Sequence, residues 1–346
     1  MYNKILPKIK NYGRFQIIYK YTIMIKIGIN GFGRIGRLIC RELLNNKKYT
    51  LTSINHPTID ALDFHNMLKY DSVHGKFTME NYHRVNIHNH KEPKNIQWEE
   101  DLDVIIDTTG KFTEKEELLQ HNKHSNTKII VSAPSKTVPM FIYGINHKKY
   151  NDENIISASS CTTTCLAPIV KILSEHFTIN SGLATTIHSI TGSQQAVDKY
   201  KPNSRLGRSL LNNIIPSSTG AAKSIGKIIP ELDGKLDAIG IRVPIQNVSL
   251  LDLNINLDTN MDLEYILDLF TEASMLKYKG IIEVNNDLLV SSDFIGKKVH
   301  SIIDSSSCKQ INNIYKIMAW YDNEIGYINQ LLQMLDYIVD KNDYYF

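Results

Sequence analysis

Ile25-Lys26-Ile27-Gly28-Ile29-Asn30-Gly31-Phe32-Gly33-Arg34-Ile35-Gly36-Arg37-Leu38-Ile39-Cys40-Arg41-Glu42-Leu43-Leu44 is the stretch whose periodicity changes most sharply. Residues 25–30 place an apolar side chain at every second position, the period of a strand. Leu38, Ile39, Glu42 and Leu43 repeat at helical spacing. Between them lies Gly31-x-Gly33-x-x-Gly36. In that setting Gly31 permits a tight turn, Gly33 lets backbone approach a pyrophosphate, and Gly36 lets helix and strand pack closely. The helix start would offer free N–H groups and a positive dipole end to phosphates. The plainer alternative is a strand–turn–helix that happens to hold three glycines.

Working outward, strands are predicted over Tyr49 to Asn55, Asp103 to Asp107 and Lys128 to Ser132, with helical stretches between. This alternation predicts an α/β fold with a doubly wound parallel sheet. The second half changes character. Leu236 to Asn256 alternates Val, Ile and Leu over a longer span, which predicts an α+β unit with a mixed or antiparallel sheet. Tyr327 to Val339 reads as a closing helix. We therefore expect a dinucleotide-binding unit over 24–160, a catalytic unit over 161–321, and a C-terminal helix, 322–346, returning to the first unit. Residues 1–23 carry Lys4, Lys8, Lys10, Arg14 and Lys20 and no acid. They read as a leader or an upstream start ahead of Met24, with an organelle transit peptide as the alternative.

Composition excludes several classes. The chain has 346 residues, 42% hydrophobic and 22% charged, ordinary for a globular protein with a large core. No apolar run reaches the roughly 18 residues that a spanning helix needs, so no membrane partner is expected. A net charge of +3 gives no reason to expect a nucleic-acid partner. Four cysteines, Cys40, Cys161, Cys165 and Cys308, are too few and scattered for a disulfide scaffold. They complete no zinc set either.

The densest chemistry is Ser159-Ser160-Cys161-Thr162-Thr163-Thr164-Cys165, ahead of an apolar run. A helix starting near Cys161 would aim free N–H groups at the thiol and lower its pKa toward neutrality. Cys165, one turn on, reads as a packing thiol. His188, ending a strand-like run, is the candidate base, although a lone His is more often structural. The other histidines, clustered at 74–90 and 121–124, read as solvated. Arg242 stands among apolar residues and is either an anion site or half of a buried ion pair. Ser217 to Lys223, with Thr219 and Gly220, resembles a hydroxyl-rich helix start, which is either a phosphate cradle or simple capping. A dinucleotide site usually carries an acid after its second strand. Here Asn55-His56-Pro57 stands there; Asn55 and His56 can still hydrogen-bond the ribose hydroxyls as cofactor-binding residues, but NAD against NADP is left open.

Taken together and in order, these residues strongly resemble the phosphorylating glyceraldehyde-3-phosphate dehydrogenase family, from about residue 24 to 338. The matching motifs are Ile29 to Arg37, the Cys161 segment, Asn213 to Pro216 with Ser218 to Lys223, Arg242-Val243-Pro244, and Trp320-Tyr321-Asp322-Asn323-Glu324. The resemblance implies a Rossmann unit binding NAD, a Cys161 nucleophile and a His188 base. It implies that Ser160, Thr162, Thr219 and Gly220 receive inorganic phosphate. Thr191 and Arg242 would hold the substrate's own phosphate, with Arg205 beside them. Phe32, Gly33, Arg34 and Ile35 would line the pyrophosphate turn, and Thr109, Gly110 and Ser132 the rest of the cofactor site. Asn323, with Tyr327 nearby, would fix the nicotinamide carboxamide. A cytoplasmic homotetramer acting in glycolysis is the corresponding expectation.

The sequence departs from the family's pattern in four places. His56 stands where Asp is usual, and Thr164 where Asn is usual. Residues 192–200 form an unusual loop, and Leu206 replaces a basic residue found in many bacterial members. The rival within the fold is erythrose-4-phosphate dehydrogenase, which the Gln194-Gln195 pair resembles; the Ser218 to Lys223 run opposes it. A Cys–His acyl hydrolase would leave the glycine turn and Asn323 without roles. A catalytically silent binding protein is the remaining alternative.

Overall fold

The computed structural model describes residues 24–78, 85–121 and 127–342; the basic segment 1–23 lies outside them. The quoted stretch forms β1 (Ile25–Asn30) and α1 (Arg34–Leu44). Next come β2 (Tyr49–Asn55), α2 (Ala61–Lys69), β3 (Asn86–His88), β4 (Val104–Asp107), a single turn α3 (Lys115–Leu118), β5 (Lys128–Val131) and β6 (Ile155–Ser157). All pair in parallel in the order β3-β2-β1-β4-β5-β6. The order reverses at β1/β4, and such a switch point opens a crevice at the carboxyl ends of the strands. Gly31 has φ +100°, a conformation that costs only glycine nothing. A Cβ on Gly36 would lie 2.1 Å from the Gly31 carbonyl oxygen, so only glycine lets α1 approach the turn.

The chain then forms α4 (Cys161–His176), β7 (Ile179–His188), β8 (Ile215–Ser218), α5 (Ala221–Ile228), β9 (Leu236–Arg242), β10 (Ser249–Leu257) and α6 (Leu263–Met275). After these come β11 (Ile282–Asn285), β12 (Ser301–Asp304), β13 (Lys309–Ile311), β14 (Ile314–Tyr321) and α7 (Ile325–Asn342). The second sheet runs β11-β12-β14-β10-β7-β9-β8, with β13 on β14, and is mixed: β7/β9 and β11/β12 are parallel, the other pairs antiparallel. Leu251, Leu253, Ile255 and Leu257 of β10 pack inward against α4, α5 and α6. On the other face Leu183, Ile239 and Ile314 are exposed. Helix α7 carries Ile328, Leu331, Leu335 and Ile338 into the core that holds Leu38 and Leu43 of α1. It is longer than the predicted Tyr327–Val339 by two residues in front and three behind.

Candidate active site

Ser160 caps α4, its Oγ accepting from the Thr163 N–H, so Cys161 is the first helical residue. Just before it, Ser159 sits at φ +60°, a strained setting for a side-chain-bearing residue. The Tyr327 hydroxyl donates to the Ser159 carbonyl at 3.2 Å and helps to hold that turn. Cys161 Sγ lies 3.4 Å from His188 Nε2. His188 ends β7 and pairs in register with Arg242, which ends the parallel neighbour β9. Arg242 Nη1 lies 2.6 Å from His188 Nδ1 and donates to the Ser189 carbonyl at 3.1 Å.

The electrostatics corrects one expectation for Cys161. Enclosure pushes its thiol up; Arg242 and the Thr162 hydroxyl and N–H pull it down but only in part. The helix start therefore does not bring this thiol to neutrality unaided. Burial, then the Arg242 charge, lowers His188 to about 4, so its imidazole is neutral at physiological pH. A neutral imidazole can accept a thiol proton at whichever ring nitrogen carries no hydrogen. Cys165 is buried one turn on, its thiol raised to about 12 by burial.

A cavity of about 140 Å³ opens above Cys161, lined by Ser160, Thr162, His188, Thr219, Gly220 and Arg242 among others. Gly220 leads into α5. The Thr162 hydroxyl is 3.0 Å from the buried Tyr321 hydroxyl, which also lies 2.6 Å from Thr186 Oγ1. Thr191 and Arg205 lie on the exposed loop after β7 and do not line this cavity. The Thr191 N–H and hydroxyl donate to Gln194 Oε1.

A second cavity, about 450 Å³, lies at the sheet's switch point and is lined by Gly31, Phe32, Gly33, Asn55, His56 and Thr109, with His90, Lys91 and Lys111. Nothing stands within 4 Å of where a Gly33 Cβ would be, so the turn is open to a ligand. Gly110 turns at φ +64°. Ile35 packs on the α1 core. Three residues expected at the cofactor are committed within the protein. Arg34 donates to Glu324 through Nε and Nη2, both 2.6 Å, and to Asp71 through Nη1 at 2.5 Å. The Asn55 amide donates to Asn30 Oδ1 and the His90 carbonyl. Asp107 Oδ1 accepts from the Thr109 N–H and hydroxyl. Asn323 Oδ1 accepts from Ser189 and Ser249 hydroxyls, each at 2.8 Å, which sets its amide one residue from His188. Ser132 lies beside the Tyr327 hydroxyl.

These paired cavities, one for a dinucleotide and one built on a Cys–His pair, meet a clear likeness to known proteins. Residues 25–115 match the NAD binding domain of glyceraldehyde 3-phosphate dehydrogenase, and residues 160–323 match its C-terminal domain. Glyceraldehyde-3-phosphate dehydrogenase 1 of Kluyveromyces lactis is 41% identical over 91% of this chain and 100% of its own. The dehydrogenases of Wickerhamomyces ciferrii and Bacteroides fragilis are 42% and 43% identical, each over 92% of this chain and 99% and 100% of their own. The chain belongs to the glyceraldehyde-3-phosphate dehydrogenase family.

Within a dehydrogenase site, several residues escaped sequence reading. Tyr321 stands inside a quoted motif, yet only the sheet register carries its hydroxyl to Thr162. Glu324 and Asp71 grip the cofactor turn from 290 and 37 residues away. The expectation of solvated histidines is corrected. His121 is buried with its Nε2 2.9 Å from Asp107, and His74 Nε2 lies 2.8 Å from Glu324. Polar neighbours in sequence said nothing of these distant carboxylates.

Proposed function

We propose that the chain carries out the phosphorylating oxidation of glycolysis, D-glyceraldehyde 3-phosphate plus NAD and phosphate to 1,3-bisphosphoglycerate. The observation that carries it is Cys161 Sγ at 3.4 Å from His188 Nε2, at a helix start beside Arg242. Cys161 adds to the aldehyde carbon, giving a thiohemiacetal. NAD, when bound, supplies the hydride acceptor. His188 Nε2 takes the hydroxyl proton as the carbon is oxidised, leaving a thioester on Cys161. Phosphate opens the thioester and returns the thiolate. Ser160, Thr162, Thr219 and Gly220 surround the entry path of that phosphate. Arg242 binds the phosphate that the substrate already carries, and the family resemblance assigns Thr191 and Arg205, on the loop after β7, to the same site. Asn323 donates its amide N–H to the nicotinamide carboxamide. The test is reduction of NAD with glyceraldehyde 3-phosphate, with and without phosphate. Phosphate-independent or absent reduction rejects the reading.

The dinucleotide cavity brings His56, His90, Lys91 and Lys111 together, and no described acid lines it. NADP is therefore repelled less than at a site with the usual Asp. His56→Asp is expected to raise the NAD/NADP ratio of kcat/KM by about tenfold, some 1.4 kcal/mol. An unchanged ratio would remove His56 from cofactor choice.

A homotetramer in the cytoplasm fits this reading. Leu183, Ile239 and Ile314 leave an apolar patch on the uncovered sheet face, which a second copy would bury. Leu183→Asp should move the sedimenting species to a smaller mass without changing the circular dichroism. An unchanged mass would place the interface elsewhere.

A further inference from the structure

His188 Nδ1 faces two partners of opposite character. The Ser189 carbonyl oxygen, 2.8 Å away, can only accept a hydrogen bond. Arg242 Nη1, 2.6 Å away, can only donate one. The ring cannot satisfy both at once. If Arg242 donates to Nδ1, the ring proton sits on Nε2 and faces Cys161 Sγ, and Nε2 has no lone pair for the thiol proton. If Nδ1–H donates to Ser189, Nε2 is free to accept. Catalytic histidines are commonly held in one tautomer by a carboxylate at the far nitrogen. Here no described carboxylate bonds either ring nitrogen. The ionisable groups facing the ring are Cys161 from α4, Arg242 from β9 and Tyr321, whose ring stands edge-on at 6.1 Å, from β14.

Arg242 has an alternative partner to which it can turn. It lines the same cavity as Thr219 and Gly220, and under the proposed function it receives the substrate's phosphate. A phosphate dianion is a far stronger acceptor for a guanidinium than a neutral imidazole nitrogen. We propose that Arg242 is a tautomer selector: in the anion-free enzyme it locks His188 in the form that cannot accept a proton, and an anion that draws the guanidinium away releases it.

The balance is simple. One proton leaves Nε2 to water and one is taken up from water at Nδ1, where it bonds the Ser189 carbonyl. The thiol proton of Cys161 then passes to Nε2, giving a thiolate beside an imidazolium, with no net change in charge. The base is thus armed by an anion at Arg242, which in turnover is the substrate's own phosphate. The device rests on the phosphate assignment of Arg242, and it adds a consequence which that assignment does not require. A bound anion changes the state of His188, not only the affinity for substrate.

The test uses the full chain with NAD and sulfate, a dianion across the working pH range. Protein labelled with 15N-histidine is studied by magic-angle-spinning NMR, with His188 assigned from a His188→Asn sample. Without sulfate the ring proton should lie on Nε2; with saturating sulfate Nδ1 should become protonated. In parallel, the pH midpoint of Cys161 alkylation by iodoacetamide, read by mass spectrometry, should fall by about one unit with sulfate. In Arg242→Met it should not respond. Sulfate that binds through Arg242 yet leaves the His188 tautomer unchanged overturns the selector alone. Sulfate affinity and the KM for glyceraldehyde 3-phosphate that are both unchanged in Arg242→Met overturn the phosphate assignment, and the selector with it. The wild-type spectra decide the first question even if that variant fails to fold.

Discussion

Cys161→Ser should lose at least about a thousandfold in NADH formation from glyceraldehyde 3-phosphate while NAD affinity stays within about twofold. The hydroxyl fits where the thiol was, because the first turn of α4 and its Ser160 cap are unaltered. What fails is the chemistry. A serine hydroxyl is a far weaker acid than a thiol, and His188, with its proton affinity held down by burial and Arg242, cannot take that proton. The dinucleotide cavity is lined by residues of the first sheet and its loops, so binding of NAD is not touched. Fluorescence titration with NAD and a stopped-flow trace at 340 nm measure the two separately. Turnover retained at even a tenth of wild type would reject Cys161 as the nucleophile.

Arg242→Leu has the second large effect, and it depends on the substrate. Loss of a charge-assisted contact to the substrate's phosphate costs about 3 kcal/mol, on the order of a hundredfold in kcat/KM for glyceraldehyde 3-phosphate. Plain glyceraldehyde offers no phosphate, so its kcat/KM should not fall, and should rise where release of His188 from Arg242 frees the base. Equal losses on both aldehydes would remove Arg242 from the phosphate site. Leucine suits the strand position, since Arg242 is only half-buried and the β7/β9 register is set by backbone pairing.

The local features were legible in the sequence, and the long-range ones were not. Gly31 and Gly36 announce their turn because the positive φ of the one and the close approach of the other to the Gly31 carbonyl arise within six residues, while Gly33 leaves the turn open to the cavity. Cys161 announces a helix start because its cap, Ser160, is adjacent. The meeting of His188 with Arg242 depends on two strands pairing in parallel across 54 residues, and no periodicity encodes that register. Asn55 and Arg34 were both read as cofactor ligands. Asn55 lines the dinucleotide cavity while its amide also ties β1 and β2 to the segment after β3, and the Arg34 side chain is held by Glu324 and Asp71. Thr164 shows how a substitution can be noticed without its consequence being readable. Its side chain lies inside α4, and its hydroxyl has no partner among the described residues.

The grip of Glu324 on Arg34 bears on how the protein is made. Its two ends are 290 residues apart, and α7 follows directly after Glu324 to fill the core against α1. At roughly 5–20 residues per second, a ribosome needs about 15–60 s to travel that distance. Throughout that interval the nascent nucleotide-binding sheet has Leu38, Leu43 and their neighbours without the helix that covers them, and its glycine turn without the carboxylate that steadies it. The first half of the chain is therefore the part whose apolar core stays uncovered longest during synthesis. A ribosome stalled within α7 would release a chain with Cys161, His188 and Arg242 present and an unsealed nucleotide-binding core, a natural target for proteolysis.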